Sequence, residues 1–181
     1  MAERTGSSQG VQHGFSLIEL AVALAMAAVL ASLAVPAMEQ LRARLQLAEA
    51  ARSLLAAFHL ARSTAASRGQ AVSLCQTDAL GACVAAGVAA NGWRVRIEPI
   101  AGVPPPPAGL LQTTTQLPNR VRLYANRASV TFWPQPRAGG TATFVLCAAR
   151  NITRPSAVIV SQIGRARISD RAADGSALVC P

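Results

Sequence analysis

Hydrophobic and polar positions divide this chain of 181 residues into three stretches of different period. Residues 1–14 are polar and rich in Gly, Ser and Gln, and an apolar run follows them at once. Residues 15–38 form that run, which is long enough for a bilayer-crossing helix, since such a helix needs about 20 apolar residues. Beyond Pro36, Leu41, Leu45, Ala48, Arg52, Leu55 and Phe58 follow one another at three- or four-residue steps. That spacing predicts an amphipathic continuation of the helix. Pro36 removes one backbone hydrogen bond and is expected to kink or loosen the helix. Gly69, directly after Arg68, reads as its C-terminal stop.

After Gly69 the period falls to two. Short strands are expected at 71–76, 93–98, 121–125, 130–133, 143–147, 157–161 and 166–169. Trp93, Val95 and Ile97 alternate with Arg94, Arg96 and Glu98, which gives one buried and one charged face. Four consecutive prolines within 103–107 rule out a central strand there, and Gly139-Gly140 marks a turn. No internal repeat and no second globular domain emerge. The expected class is α+β: a long N-terminal helix packed against an antiparallel β-sheet head.

Charge sharpens this outline. All 17 basic residues are Arg against 8 acids, giving a net charge of +9. The imbalance is greatest between Trp93 and Arg171, where the acids are only Glu98 and Asp170. Such a surface favours polyanions, although a merely solvated basic face has the same composition. Four cysteines, Cys75, Cys83, Cys147 and Cys180, show no C-x-x-C spacing, and His13 and His59 are the only histidines. Disulfides therefore fit better than a metal site. Of three possible pairings we expect Cys75–Cys83, closing a short loop, and Cys147–Cys180, tying the C-terminus to a core strand. No catalytic pattern is found. His59 has no acidic partner signature, the acids Asp78, Glu98, Asp170 and Asp174 have no metal-ligand spacing, and no Gly-rich phosphate loop occurs. The expectation is a non-enzyme without metal or cofactor.

The polar leader precedes the apolar run, and no small-x-small cleavage site follows it, unlike a secretory signal. Within the run the one charge is Glu19, which costs on the order of 2.5–3.5 kcal/mol in hydrocarbon unless it finds a partner. The string Gly14-Phe15-Ser16-Leu17-Ile18-Glu19-Leu20 resembles the processing and methylation motif of type IV pilins and pseudopilins. That resemblance implies cleavage after Gly14 by the prepilin peptidase, methylation of Phe15, and pairing of Glu19 with a neighbouring subunit's terminus during assembly. It also implies three parts: a leader at 1–14, a helix at 15–68 whose 15–38 part serves membrane and filament core, and a head at 69–181.

The head is similar to the GspH/FimT group of minor pseudopilins. The likeness is carried by Cys75, Cys83, Gly92-Trp93, Phe132, Pro134, Gly139, Phe144 to Cys147, Val158 to Ser161 and Gly164-Arg165-Ala166-Arg167. Gly-Arg-x-Arg resembles the DNA-binding motif of FimT-type pilins that serve natural transformation. On an extended segment Arg165 and Arg167 project to one side, about 7 Å apart, a spacing suited to successive phosphates. Arg171 extends that patch, and Arg150 and Arg154 are candidates to join it. No aromatic residue interleaves them, so sequence-independent contact with the phosphates of double-stranded DNA is expected rather than base stacking. The resemblance implies other major and minor pilins as partners. It also implies inner-membrane anchoring with a periplasmic head, then a place at or near a pilus tip. The alternative is a structural minor pilin or type II secretion pseudopilin that primes assembly without touching DNA.

Overall fold

The computed structural model describes residues 16–99, 112–135, 141–149 and 152–181. Gly14, Phe15, the proline run at 103–107, Gly139-Gly140 and Arg150 lie outside the described residues. One helix, α1 (Leu17–Arg68), is followed by β1 (Val72–Thr77), β2 (Gly92–Ile97), β3 (Gln112–Gln116), β4 (Val121–Ala125), β5 (Ser129–Phe132), β6 (Ala142–Ala148), β7 (Ser156–Val160) and β8 (Ala166–Ser169). The chain divides within α1 into two units, Met1–Glu39 and Gln40–Pro181.

In the first unit α1 includes Pro36 and carries Leu17, Ile18, Leu24, Met26, Leu30 and Leu33 fully in the open. Its apolar window has a mean hydropathy of 2.4 and buries nothing within the chain, so its covering must come from elsewhere.

The second unit is built on two four-stranded antiparallel sheets, in the orders β3-β2-β1-β5 and β4-β6-β7-β8. Alternation explains their shared core. Leu123, Phe144, Leu146, Val158 and Val160 face inward from the second sheet, and Val72, Leu74, Trp93 and Val95 contribute from the first. The helix meets this core through Ala43, Leu47, Ala50, Ala51, Leu54, Phe58, Ala61 and Ala65. Phe58 is its anchor, edge-on to Phe144 at 5.1 Å and to Phe132 at 6.2 Å between centroids. Each fully buried side chain of this size stabilises by about 1.5–3 kcal/mol.

That helix face corrects the stripe expected from the large residues. Leu41 is 50% and Leu45 60% exposed, Arg52 is in the open, and Phe58 alone of the predicted set is fully buried. The buried stripe is mostly alanine, because small side chains let the helix backbone come close to two sheets. Only Leu47, Leu54 and Phe58 fill the wider gaps.

Seven strands fall close to their expected positions, and β3 is additional. Its Gln-Thr-Thr-Thr-Gln segment has no apolar alternation and is held by pairing along β2, from Gly92↔Gln116 to Arg96↔Gln112. Gly92 permits that approach, since a Cβ there would run into the Thr115 carbonyl. The helix ends at Gly69, whose φ of 65° is the left-handed stop the sequence suggested. Both expected disulfides are formed, Cys75–Cys83 and Cys147–Cys180. The first closes a loop over β1, where buried Gln76 donates through Nε2 to the Ala85 carbonyl and accepts at its main-chain carbonyl from Val84 N–H, 3.0 Å away.

Candidate nucleic-acid interface

The Gly-Arg-Ala-Arg element sits on the β7–β8 hairpin. Gln162, Ile163 and Gly164 form its three-residue connection. Gly164 N–H donates to the Ser161 carbonyl at 2.9 Å, and Ser161 N–H donates to the Arg165 carbonyl at 2.9 Å. Arg165 N–H adds a bond to Ser161 Oγ at 3.2 Å. A residue with positive φ is needed at the end of such a turn, and Gly164 supplies it with φ 74°. Space selects glycine as well, because a Cβ at this position would stand 3.1 Å from the Phe132 ring. The turn is thus seated on the aromatic group that also holds Phe58.

Register then aims the arginines. Ala166 pairs with Val160 and Arg167 with Ile159. Ala166 packs against the core, so Arg165 and Arg167, alternating with it, project to the opposite face. Both are exposed, and both line one open concavity of about 720 Å³ with Thr141, Ile159, Ser161 and Ile163. No carboxylate among the described residues lines it. Among the described residues the one ion pair is Arg96–Glu98 at 3.3 Å, so neither guanidinium is neutralised. β8 is the outer strand of its sheet among the described residues. Two uncompensated forks on one side of an edge strand can take phosphate oxygens pairwise.

The other expected contributors go elsewhere. Arg154 precedes β7 and therefore lies at the end of that strand remote from the turn. It lines a separate concavity with Arg44 and Arg52, and a second with Arg44. Arg171 has turned into the C-terminal loop, where it bridges to Ala177 and donates through Nη1 to the Gly175 carbonyl at 3.2 Å. In the same loop Asp174 accepts from Ser176 Oγ and N–H, which holds its carboxyl below the usual range. Conversely, Arg62 on α1 donates to the Gly164 carbonyl at 3.4 Å and brings a third guanidinium to the hairpin tip. Nothing in the linear pattern marks this contact across 102 positions. No group of three or more metal-ligating side chains occurs among the described residues.

Comparison with known proteins places these features in a family. Residues 50–164, more than half of the chain, match the family described as type II transport protein GspH. The chain belongs to the GspH family. Residues 10–35 match the prokaryotic N-terminal methylation motif, which includes Gly14, Phe15 and Glu19. Together the two matches make this GspH-family chain one of the minor pilins and pseudopilins. No curated protein matches it significantly. Two crystal forms of the type IV minor pilin FimU of Pseudomonas aeruginosa are similar in structure. One has 20% identity and a TM-score of 0.52, with 70% of this chain and 90% of that chain covered. The other has 19% identity and a TM-score of 0.49, with 68% and 92% covered. The first shares the fold. The GspH match ends at Gly164, one residue before the paired arginines.

Proposed function

We propose that this chain is a minor type IV pilin that binds double-stranded DNA through Arg165 and Arg167 and supports DNA uptake in natural transformation. The observation that carries the reading is the pair of exposed, unneutralised arginines on one side of an edge strand, presented by a turn that requires Gly164. Phosphate oxygens are the natural acceptors for such a pair, and contact with phosphates alone carries no base sequence.

Around that activity the proposed life of the molecule is as follows. The precursor sits in the inner membrane by its apolar helix with the head in the periplasm. The prepilin peptidase cuts after Gly14, and Phe15 becomes the methylated terminus. Glu19 then pairs with a neighbouring terminus as the subunit joins other major and minor pilins at or near a filament tip. Pairing offsets a desolvation cost that either buried charge alone would carry. The head works without catalysis, metal or cofactor, its role being attachment.

The test is titration of the mature chain, in zwitterionic detergent, with labelled duplex DNA over a range of salt, beside Arg165→Gln/Arg167→Gln. The expected result is binding that weakens with salt, and a double variant whose salt slope is smaller by about 2. Absence of binding by folded protein, or equal binding by the variant, rejects the DNA reading. A second reading is supported by the GspH match and the N-terminal methylation motif, which fit a purely structural subunit equally well. In that reading the chain is a structural minor pilin or type II secretion pseudopilin. Its deletion would then abolish filaments, and the double variant would restore them fully.

A further inference from the structure

A second basic surface lies away from the hairpin. Arg44 and Arg52 on α1 and Arg154 before β7 line a concavity of about 340 Å³ with Ala48, Thr153 and Ile168. A neighbouring one of about 560 Å³ shares Arg44, Thr153 and Arg154 and adds Ile152, Leu178 and Val179. All three guanidiniums are exposed, none has a carboxylate partner among the described residues, and no acid lines either concavity. The rim is apolar in an unusual way for a merely solvated face. Val179 is 74% exposed, and Ile152 and Ile168 are also open. Cys147–Cys180 holds the tail that carries Leu178 and Val179, so these groups are fixed in place.

Phosphate-binding cations beside short apolar side chains match the chemistry of a phospholipid surface, where head-group phosphates lie above acyl chains. Chain connectivity supplies the second argument. The apolar run ends at Met38, and Arg44 follows six residues later. Even fully extended, that link spans at most about 21 Å. Whatever the orientation of the head, Arg44 stays near the bilayer surface that Met38 reaches.

We infer that the surface of Arg44, Arg52, Arg154, Ile152 and Val179 is a docking face for anionic phospholipid head groups, used while the subunit waits in the membrane before assembly. The inference rests on the membrane-anchor part of the proposed function and not on DNA binding. Release of this face would accompany extraction of the helix into a filament, where head-group phosphates are no longer available.

The mature chain is placed in nanodiscs of phosphatidylcholine alone or mixed with phosphatidylglycerol, with no other pilin present. Backbone hydrogen exchange is read at residues 152–154 and 177–180. Exchange is expected to slow in the anionic discs, by about fivefold for each arginine engaged, and to recover in high salt. Arg44→Gln/Arg154→Gln should remove the slowing, and Arg44→Lys/Arg154→Lys should largely keep it. Arg165→Gln/Arg167→Gln should leave it unchanged, and unaltered exchange in β6 and β7 reports that each variant is folded. Equal exchange in both kinds of disc overturns the inference, as does slowing that survives Arg44→Gln/Arg154→Gln. Slowing that needs a second pilin overturns it too, assigning the face to subunit contact. A chain that does not enter the discs removes the anchor reading and this inference together, leaving the DNA titration unaffected.

Discussion

The two arginine surfaces of the head are alike in charge and unlike in construction. At the hairpin, Arg165 ends the turn and Arg167 lies two residues on within β8, so a single turn and a single register determine their spacing. Around Arg44, Arg52 and Arg154 the cations come from α1 and from the segment before β7, and packing alone unites them. The first is therefore a local device that sequence spacing can encode. The second exists only while the helix is docked on the sheets. That difference teaches where each is vulnerable: the hairpin to changes in its turn, the second surface to changes in the core beneath it.

The largest effect is expected from removing the shared foundation. Phe58→Ala deletes the aromatic group between Phe132 and Phe144 and should cost about 3–5 kcal/mol. Denaturant unfolding of the mature chain reads this directly. Hydrogen exchange should rise beneath both arginine surfaces together, and a rise confined to one of them would show that the two do not share a core.

Gly164→Ala separates them. A side chain at φ 74° that also crowds the Phe132 ring should cost about 1–3 kcal/mol. Binding to duplex DNA should weaken while exchange at 152–154 stays at its original rate. Unchanged DNA affinity would mean that presentation by the turn is not what positions Arg165.

A smaller effect is expected for Arg62→Gln. Its bond to the Gly164 carbonyl is long and exposed, so stability should fall by less than about 1 kcal/mol. If Arg62 also meets a phosphate, the salt slope of DNA binding should drop by about 1. A slope identical to that of the parent chain would confine Arg62 to bracing the turn.

Acid provides the mildest probe. The Asp174 carboxyl is held below its ordinary range chiefly by Ser176 Oγ and then by Ser176 N–H. A depressed native value means that this contact stabilises above the unfolded value, about pH 4, and that its contribution disappears as pH falls through the native value. Protection at residues 172–176, judged against the unfolded peptide at the same pH, should therefore fall in that acid range. Asp174→Asn should flatten the dependence without altering either arginine surface.

Much of this was legible in the linear pattern. The long apolar run, the stop at Gly69, seven of the strands and the turn at Gly164 follow from local periods and local backbone preferences. β3 was illegible because its threonines carry no alternation, and a neighbouring strand supplies its order. The buried helix stripe was misread because hydrophobicity favours leucine, whereas close approach of a helix to two sheets favours alanine. Arg154 left the hairpin group because β7 runs the length of the sheet between it and the turn.

The sequence by itself determined what nearest neighbours along the chain control: the anchor-like run, the glycine that turns the hairpin, and the alternation that puts Arg165 and Arg167 on one side. Tertiary structure alone decided what distant segments control. Arg62 reaches Gly164 from a helix 102 positions away, and Arg44, Arg52 and Arg154 gather only when α1 lies on the sheet. The physical reason is that backbone preference acts over a few residues, whereas side-chain packing acts between any two surfaces that the folded chain brings together.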